Sequence, residues 1–155
     1  MSRFRHSWRA FGSRILGASG GSNGRSRDSQ GKSIMVRNGG GERVLVVEDD
    51  ELFADMVSDI LNEDGYTVVG PFSNLRHSFE ALEEGSVAIA VLDINLRDGT
   101  SFPLADHLAS EDIPVIFLTS RGREEIPARY RIHTVLPKIG PAARLLSALA
   151  AVLDA

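Results

Sequence analysis

The amino-acid sequence predicts an α/β fold, a doubly wound parallel sheet of five strands with helices on both faces, and three observations support this prediction. Short apolar runs alternate with segments of helical periodicity through residues 42–155, which is the order that builds βαβ units. The runs are apolar throughout, as expected for strands that are covered on both faces. Acidic or hydroxyl side chains follow several of them, at the strand ends where sheets of this kind bind ligands.

The first half of this region contains two predicted strands and two predicted helices. Arg43–Val47 is a run of β-branched residues and leucine that ends at an acidic run. Apolar side chains at helical spacing then predict a helix over Leu52–Leu61. Tyr66–Val69 is the second predicted strand and ends at a Gly-Pro pair, and Asn74–Glu84 has the pattern of a second helix.

The second half adds three strands, two clear helices and one ambiguous stretch. The predicted strands are Val87–Leu92, Pro114–Leu118 and Val135–Leu136. Helices are predicted over Ser101–Ser110, where a proline in the first turn is tolerated, and over Pro141–Leu153. Residues 121–132 are polar, are broken by Pro127 and have only a weak helical pattern. The alternation predicts five βα units in total.

The net charge of −4 conceals two unlike parts of the chain. Residues 1–41 contain eight Lys/Arg and one acid, whereas residues 42–155 contain nine Lys/Arg and twenty Asp/Glu. A reversal of this kind separates a tail from a domain. We therefore predict a disordered basic tail at 1–41, rich in Gly, Ser and Arg and too poor in apolar residues to fold, and a folded domain at 42–155.

The start of the tail carries apolar residues at spacings of three or four, with arginines between them. These residues are Phe4, Trp8, Phe11, Ile15 and Leu16. The spacing suggests a short basic amphipathic helix. Three interpretations stay open: an unstructured extension, including one translated from too early a start, a segment that contacts an anionic membrane or partner, and a targeting peptide.

Composition excludes several classes of function. The chain has no cysteine, so disulfides, thiolate metal sites and a cysteine nucleophile are ruled out. No apolar run approaches the roughly 20 residues of a membrane helix, and we expect a cytoplasmic protein. No helix-turn-helix follows the acidic domain, so no nucleic-acid partner is expected. His77, His107 and His133 share no metal-ligand spacing and are interpreted as surface residues.

Chemically capable side chains follow four of the five predicted strands. They are Glu48, Asp49 and Asp50 after the first strand, Asp93 after the third, Thr119 after the fourth and Lys138 after the fifth. Carboxyl ends of parallel strands meet at one edge, so these groups should lie together. Clustered carboxylates favour Mg²⁺ over softer metals. The alternative is a solvated helix N-terminus, and Asp50 and Glu51 are interpreted in that way.

A carboxylate beside a bound metal, a hydroxyl and a lysine can also accept a phosphoryl group. Asp93 would be the nucleophile of such a site. Thr119 and Lys138 would stabilise the negative charge of the product.

From Arg43 to about Leu153 the sequence resembles the receiver domains of two-component response regulators. The motifs that carry this resemblance are Val46–Asp50, Val91–Asn95, Phe117–Ser120 and Leu136–Lys138. The resemblance implies a flavodoxin-like strand order of 2-1-3-4-5. It also implies that Asp93 receives a phosphoryl group from the phosphohistidine of a histidine kinase or a histidine phosphotransfer protein.

The resemblance further implies how the other site residues act. Mg²⁺ is bound by Asp49, by Asp93 and by the backbone carbonyl of Asn95, and Glu48 holds a water molecule on the metal. Thr119 donates a hydrogen bond to the acyl phosphate, and Lys138 pairs with it. Such a protein is not an enzyme with a separate substrate, because it catalyses only its own phosphorylation and dephosphorylation.

The sequence departs from the receiver pattern at three places. Residues 96–99 lack the usual Met-Pro pair, Val135 stands where an aromatic residue is usual, and Ile139 replaces the proline after the lysine. A cis peptide bond after Lys138 is therefore not expected. The polar stretch 120–133 is expected to have low local stability and to become ordered on phosphorylation.

Asp93–Leu96 and Phe117–Arg121 are similar to the stand-alone bacterial receivers whose fourth strand ends in Phe-Ala-Thr-Gly-Tyr, although three of those five residues differ here. Because the sequence ends at Ala155, we expect a single-domain regulator that signals by protein contact or drains phosphate from a relay. The alternative is a degenerate receiver that acts as an interaction module without being phosphorylated.

Overall fold

A computed structural model describes residues 25–27, 33–35, 40–140 and 142–155. The central sheet has five strands, which are β1 Arg43–Val47, β2 Thr67–Phe72, β3 Ile89–Asp93, β4 Val115–Thr119 and β5 Thr134–Pro137. The α-helices of the described residues are α1 Glu51–Glu63, α2 Leu75–Glu84, α3 Phe102–Ser110 and α4 Ala142–Leu153. The strands are parallel in the order β2-β1-β3-β4-β5. The predicted doubly wound, flavodoxin-like fold is confirmed.

Each face of the sheet has its own apolar core, because successive side chains of a strand point to opposite faces. Val44 and Val46 pack with residues of α1 and α4 on one face. Leu45 and Val47 pack with residues of α2 and α3 on the other. The strands are therefore apolar throughout, and the polar residues that follow them are placed at the carboxyl edge of the sheet.

The second strand is longer than predicted. The Gly-Pro pair was expected to end it, but β2 continues through Gly70 and Pro71 to Phe72. β2 lies at the edge of the sheet, where a proline without an N–H group is tolerated. The pairing with β1 shifts register between Leu45 and Val47, and this irregularity accommodates Gly70, whose φ is +106°.

The fourth crossover also differs from the prediction of five βα units. The described residues 120–133 form two 3₁₀ turns, Arg123–Glu125 and Ala128–Tyr130, and no α-helix. Ile126 and Tyr130 nevertheless belong to the core, with 2% and 3% of their surface exposed. The weak helical pattern of this stretch agrees with the 3₁₀ turns found there, but the sequence does not predict these two core positions, because 3₁₀ turns separated by a proline do not produce a 3.6-residue repeat.

Arginine side chains hold this crossover together. Arg131 donates from Nε to the carbonyl of Ile126 at 2.7 Å and from Nη2 to that of Glu124 at 2.9 Å. The Arg123 guanidinium donates to the carbonyl of Arg131 at 2.7 Å. The polar residues of this stretch suggested low local stability. Two of them, Arg123 and Arg131, instead donate hydrogen bonds to backbone carbonyls that would have been paired within an α-helix.

The predicted tail lies largely outside the described residues. Within it, Arg25–Arg27 and Ser33–Met35 form two short strands that pair antiparallel. These strands were not predicted, because the whole tail was expected to be disordered. The segment with the predicted amphipathic helix, residues 4–16, is outside the described residues. None of the described helices is both long and apolar enough to cross a membrane.

Candidate functional site

The sheet register places Asp93, the candidate phosphoacceptor, between the polar ends of β1 and β4. Val47 of β1 lies opposite Leu92 of β3, so Glu48 and Asp49 follow β1 beside Asp93. On the other side Asp93 lies opposite Leu118 of β4, and Thr119 is the next residue. The carboxyl edge of the sheet therefore gathers these groups, as the sequence predicts.

Three carboxylates of this edge lie close enough to share a metal ion. One oxygen from each of Glu48, Asp49 and Asp93 lies within 4.8 Å of the other two. Glu48 and Asp93 are buried, with 4% and 7% of their surface exposed, whereas Asp49 is half-buried. Buried carboxylates at this separation repel one another unless a cation compensates them, and oxygen ligands suit a hard divalent cation such as Mg²⁺.

Lys138 supplies one compensating charge within the protein. Its Nζ lies 2.7 Å from Oε2 of Glu48 and 3.0 Å from Oδ2 of Asp93. Its backbone N–H donates to the carbonyl of Thr119 at 3.0 Å, which fixes the residue at the end of β5 against the end of β4. The ammonium therefore bridges the two buried carboxylates.

Burial and neighbouring charges shift the pKa values of Glu48 and Lys138. Burial, together with the nearby carboxylate of Asp93, raises the pKa of Glu48 to about 7, although Lys138 acts in the opposite direction. Burial by itself would lower the pKa of Lys138, but the charges and hydrogen bonds of Glu48 and Asp93 outweigh it, so the pKa is raised. The lysine therefore stays protonated at neutral pH.

The acidic run divides into residues with different tasks. Asp50 is the N-cap of α1, and its Oδ1 accepts hydrogen bonds from the N–H groups of Leu52 and Phe53 at 3.1 and 3.2 Å. The N–H of Asp50 donates to Oε1 of Glu48 at 3.0 Å, which orients that carboxylate. The interpretation of Asp50 as part of a solvated helix N-terminus is confirmed, because this N-cap residue is exposed.

Thr119 ends β4 with its hydroxyl already oriented. Its Oγ1 accepts a hydrogen bond from the N–H of Arg121 at 3.0 Å, and its side chain is buried. Because that contact uses a lone pair, the hydroxyl proton is available to a further acceptor.

Residues 95–100 form a tight hairpin after Asp93. Asn95–Leu96 pairs antiparallel with Gly99–Thr100, and the φ of Gly99 is +131°, a conformation that favours glycine. Oδ2 of Asp98 accepts a hydrogen bond from the N–H of Leu75 at 3.2 Å. The loop that lacks the usual Met-Pro pair is thus tied to the first turn of α2, where Asn74 is the N-cap.

The other departures have equally concrete consequences. Val135 packs partly buried against the core of the α2 and α3 face. Among described residues the cis peptide is Gly70–Pro71, so the prediction that Lys138–Ile139 is not cis holds.

His77 and His107 are exposed as predicted, but His133 is half-buried. Its ring packs edge-on against Phe117 with centroids 5.6 Å apart, and burial lowers its pKa.

Sequence reasoning assigned Phe53 only to the apolar face of α1 and missed its contact with the site. The Lys138 ammonium lies 4.8 Å from the centroid of the Phe53 ring, a distance at which an aromatic ring attracts a cation. Phe53 lies three residues after Asp50, the N-cap of α1. This position was the signal that the sequence offered, because the first turn of α1 lies at the edge of the acidic cluster.

The fold and site together define a flavodoxin-like α/β domain with an acidic, lysine-bridged cluster at the carboxyl edge of its sheet. The chain belongs to the response regulator receiver domain family, whose model matches residues 44–150.

Among curated proteins, the chain is similar to part of two longer regulatory proteins. The chain is 31% identical over 84 residues to the regulatory protein VanRc of Enterococcus gallinarum and 34% identical over 87 residues to the phosphate regulon transcriptional regulatory protein PhoB of Escherichia coli. Each match covers 54% of this chain, but only 36% and 38% of those proteins. The chain therefore corresponds to well under half the length of these curated relatives.

Solved structures match over more of their length. The solution structure of SdrG from Sphingomonas melonis Fr1 is 36% identical with a TM-score of 0.64, covering 72% of this chain and 96% of that one. The BeF₃-activated conformation of SdrG from Pseudomonas melonis Fr1 is 37% identical with the same TM-score, covering 72% and 95%.

Proposed function

We propose that this protein is a response regulator that accepts a phosphoryl group on Asp93 from a phosphohistidine in a Mg²⁺-dependent phosphorelay. The observation that carries the proposal is the buried Asp93 carboxylate with Lys138 Nζ at 3.0 Å and two further carboxylates within metal-sharing distance. This combination of nucleophile, cation and metal ligands is what phosphoryl transfer to a carboxylate requires.

The donor set fits Mg²⁺. Asp49 and Asp93 would bind the ion through carboxylate oxygens, Asn95 through its backbone carbonyl, and Glu48 through a water molecule. Mg²⁺ keeps several waters and takes few carboxylates from a protein, which suits a cluster with one half-buried member, Asp49. When bound, the ion neutralises charge on the transferring phosphoryl group.

The chain's own residues perform the remaining steps. An oxygen of Asp93 attacks the phosphorus of the phosphohistidine, so that a P–O bond forms as the P–N bond breaks and the imidazole leaves. The ammonium of Lys138 and the hydroxyl of Thr119 donate hydrogen bonds to the phosphoryl oxygens, and such charge-assisted bonds are strong. These groups turn over no separate substrate, so we regard the protein as a phosphoacceptor and not as an enzyme.

Exposed apolar side chains beside the site support contact with a protein donor. Leu52 in the first turn of α1 is 49% exposed, and Ile139 directly after Lys138 is 56% exposed. Apolar residues that rim a polar site are typical of protein contacts. We propose a histidine kinase or a histidine phosphotransfer protein as the partner and the cytoplasm as the location of their contact. The output would use protein contact or removal of phosphate from a relay.

Binding of beryllofluoride, a stable mimic of the phosphoryl group, tests this function. With Mg²⁺ present, we expect amide chemical-shift changes at Asp93, Thr119 and Lys138, and a relative at 37% identity is known in a BeF₃-activated conformation. Asp93→Asn should abolish the response, whereas Asp59→Asn on the exposed side of α1 should retain it.

The second candidate function is that of a degenerate receiver, and it is motivated by Val135 and Ile139. This candidate predicts no chemical-shift response to either the metal or the phosphoryl mimic.

A further inference from the structure

A groove on the far side of the domain from the acceptor site combines an apolar floor with an acidic rim. It lies between the second half of α2 and the end of α3, and its volume is about 390 Å³. Phe79, Leu82 and Ile113 form the partly buried floor. Gly85 and Ser86, in the segment that leads into β3, complete the lining, so the groove is at the amino edge of the sheet.

Charged side chains mark the rim of this α2–α3 groove. Glu83 and Glu111 line it and are exposed. His107 also lines it, with its ring edge-on to Phe79 at a centroid distance of 5.5 Å. An apolar floor between exposed carboxylates suits a ligand with large apolar groups and positive charges.

The basic tail joins the domain at the amino edge of the sheet, the same edge as this groove, where the N–H of Gly41 donates to the carbonyl of Gly65 at 3.0 Å. Arg43, the first residue of β1, donates from Nε to the carbonyl of Ser86 at 3.0 Å. The chain before Arg43 therefore reaches the domain at the same edge as the groove.

The start of the same chain has the matching chemistry. Phe4, Trp8 and Phe11 recur at helical spacing, with Arg5 and Arg9 between them. The connecting chain is long enough, because residues 17–24 and 36–39 alone span about 40 Å when extended. Tethering gives such a segment an effective concentration of the order of millimolar at a site within reach.

We propose that residues 4–11 dock in the α2–α3 groove of their own chain, with the aromatic side chains on the apolar floor and the arginines against Glu83 and Glu111. The inference is independent of the proposed function, because the groove shares no residue with the acceptor site.

The sequence provides an intrinsic probe for this docking. Trp8 is the single tryptophan of the chain, so its fluorescence reports the environment of the segment. In the full chain we expect blue-shifted emission and protection from acrylamide quenching. The double charge reversal Glu83→Lys/Glu111→Lys should shift the emission toward that of free indole and increase quenching several-fold. The matched reversal Glu51→Lys/Glu63→Lys on α1 should leave both unchanged.

Disulfide trapping provides a second readout that does not depend on fluorescence. The chain has no cysteine, so the pair Ser7→Cys and Ser86→Cys should cross-link within one chain under mild oxidation. The control pair Ser7→Cys and Ser147→Cys places the second thiol on the exposed side of α4 and should cross-link much less.

Four results would overturn the proposal. The first two are solvent-like Trp8 emission in the unmodified chain and equal cross-linking of the two cysteine pairs. The third is cross-linking only between chains, which would make a second copy the occupant of the groove. The fourth is a blue shift that arises only with phosphatidylglycerol vesicles, which would make a membrane the partner of this segment.

Discussion

At the scale of single residues, burial decides which members of the acidic run take part in chemistry. The sequence showed which side chains meet, because strand ends follow from the apolar pattern. It did not show that Lys138 bridges Glu48 and Asp93 or that Phe53 lies against the ammonium. Those contacts depend on side-chain conformations and on burial across two elements, which no spacing along the chain encodes.

Adjacent aspartates of this run should respond differently to substitution. Asp49→Ala should abolish Mg²⁺ binding measured by isothermal titration calorimetry, since it removes a carboxylate from the cluster. Asp50→Ala should leave Mg²⁺ binding intact, because the N–H that orients Glu48 is retained, but it should lower the free energy of unfolding by about 1 kcal/mol through loss of the N-cap. Equal loss of Mg²⁺ binding in both variants would contradict this division.

The contribution of Glu48 to the stability of the apo protein should fall as the pH rises from about 4.5 to 7, whereas His133, whose pKa is lowered, contributes in the opposite direction. The pKa of Glu48 is raised to about 7 in the native state, so in this window the native state holds a proton that the unfolded chain has released, and unfolding becomes more favourable with pH. Glu48→Gln should remove up to about 3 kcal/mol of this dependence, measured by urea unfolding in EDTA at pH 5 and pH 8. The exposed control Glu63→Gln should retain it, and identical pH slopes in the two variants would show that Glu48 is not responsible.

The ring of Phe53 should contribute to holding the lysine protonated. Phe53→Leu keeps an apolar side chain but removes the aromatic face, so the pKa of Lys138 should fall. Phe53→Tyr should keep the wild-type value. A titration of the lysine followed by NMR measures both, and an unchanged Lys138 pKa in Phe53→Leu would mean that the contact is packing alone.

At the scale of elements, the sequence predicted regular structure well and the fourth crossover poorly. Helical periodicity identified α1 to α4, and short apolar runs identified all five strands of the central sheet. In the crossover between β4 and β5 the core positions have no repeating pattern, because Ile126 follows the first 3₁₀ turn in an extended conformation and Tyr130 ends the second. Tyr130 stacks on Phe102 with centroids 4.0 Å apart and donates to Oδ2 of Asp106 at 2.9 Å, contacts that tie the crossover to α3.

This crossover should therefore be more stable than its composition suggests. Ile126→Ala should lower the free energy of unfolding by about 2 to 4 kcal/mol, as for other buried isoleucines. Tyr130→Phe, which loses the hydrogen bond to Asp106 and the one that the hydroxyl accepts from the Arg129 guanidinium, should cost about 1 kcal/mol. Chemical denaturation measures both, and a loss below about 0.5 kcal/mol for Ile126→Ala would place the crossover outside the cooperative core.

At the scale of the whole molecule, the alternation of apolar runs and helical patterns was enough to predict the fold, and the resemblance carried by four motifs at strand ends was enough to predict the strand order and the family. Two further features needed the structure. The α2–α3 groove arises from the ends of two helices and two loops distant in sequence, and the tie between Asp98 and α2 joins elements that the sequence pattern treats separately.

Phosphorylation of Asp93 is the central claim, and labelling with a small phosphodonor tests it most directly. The full chain should incorporate radioactive phosphate from labelled acetyl phosphate when Mg²⁺ is present and lose the label when EDTA is added beforehand. Asp93→Asn should incorporate none, whereas Asp59→Asn should match the unmodified protein. Label that persists on Asp93→Asn, or a folded unmodified chain that takes up none with Mg²⁺ present, would contradict the assignment of Asp93 as the phosphoacceptor.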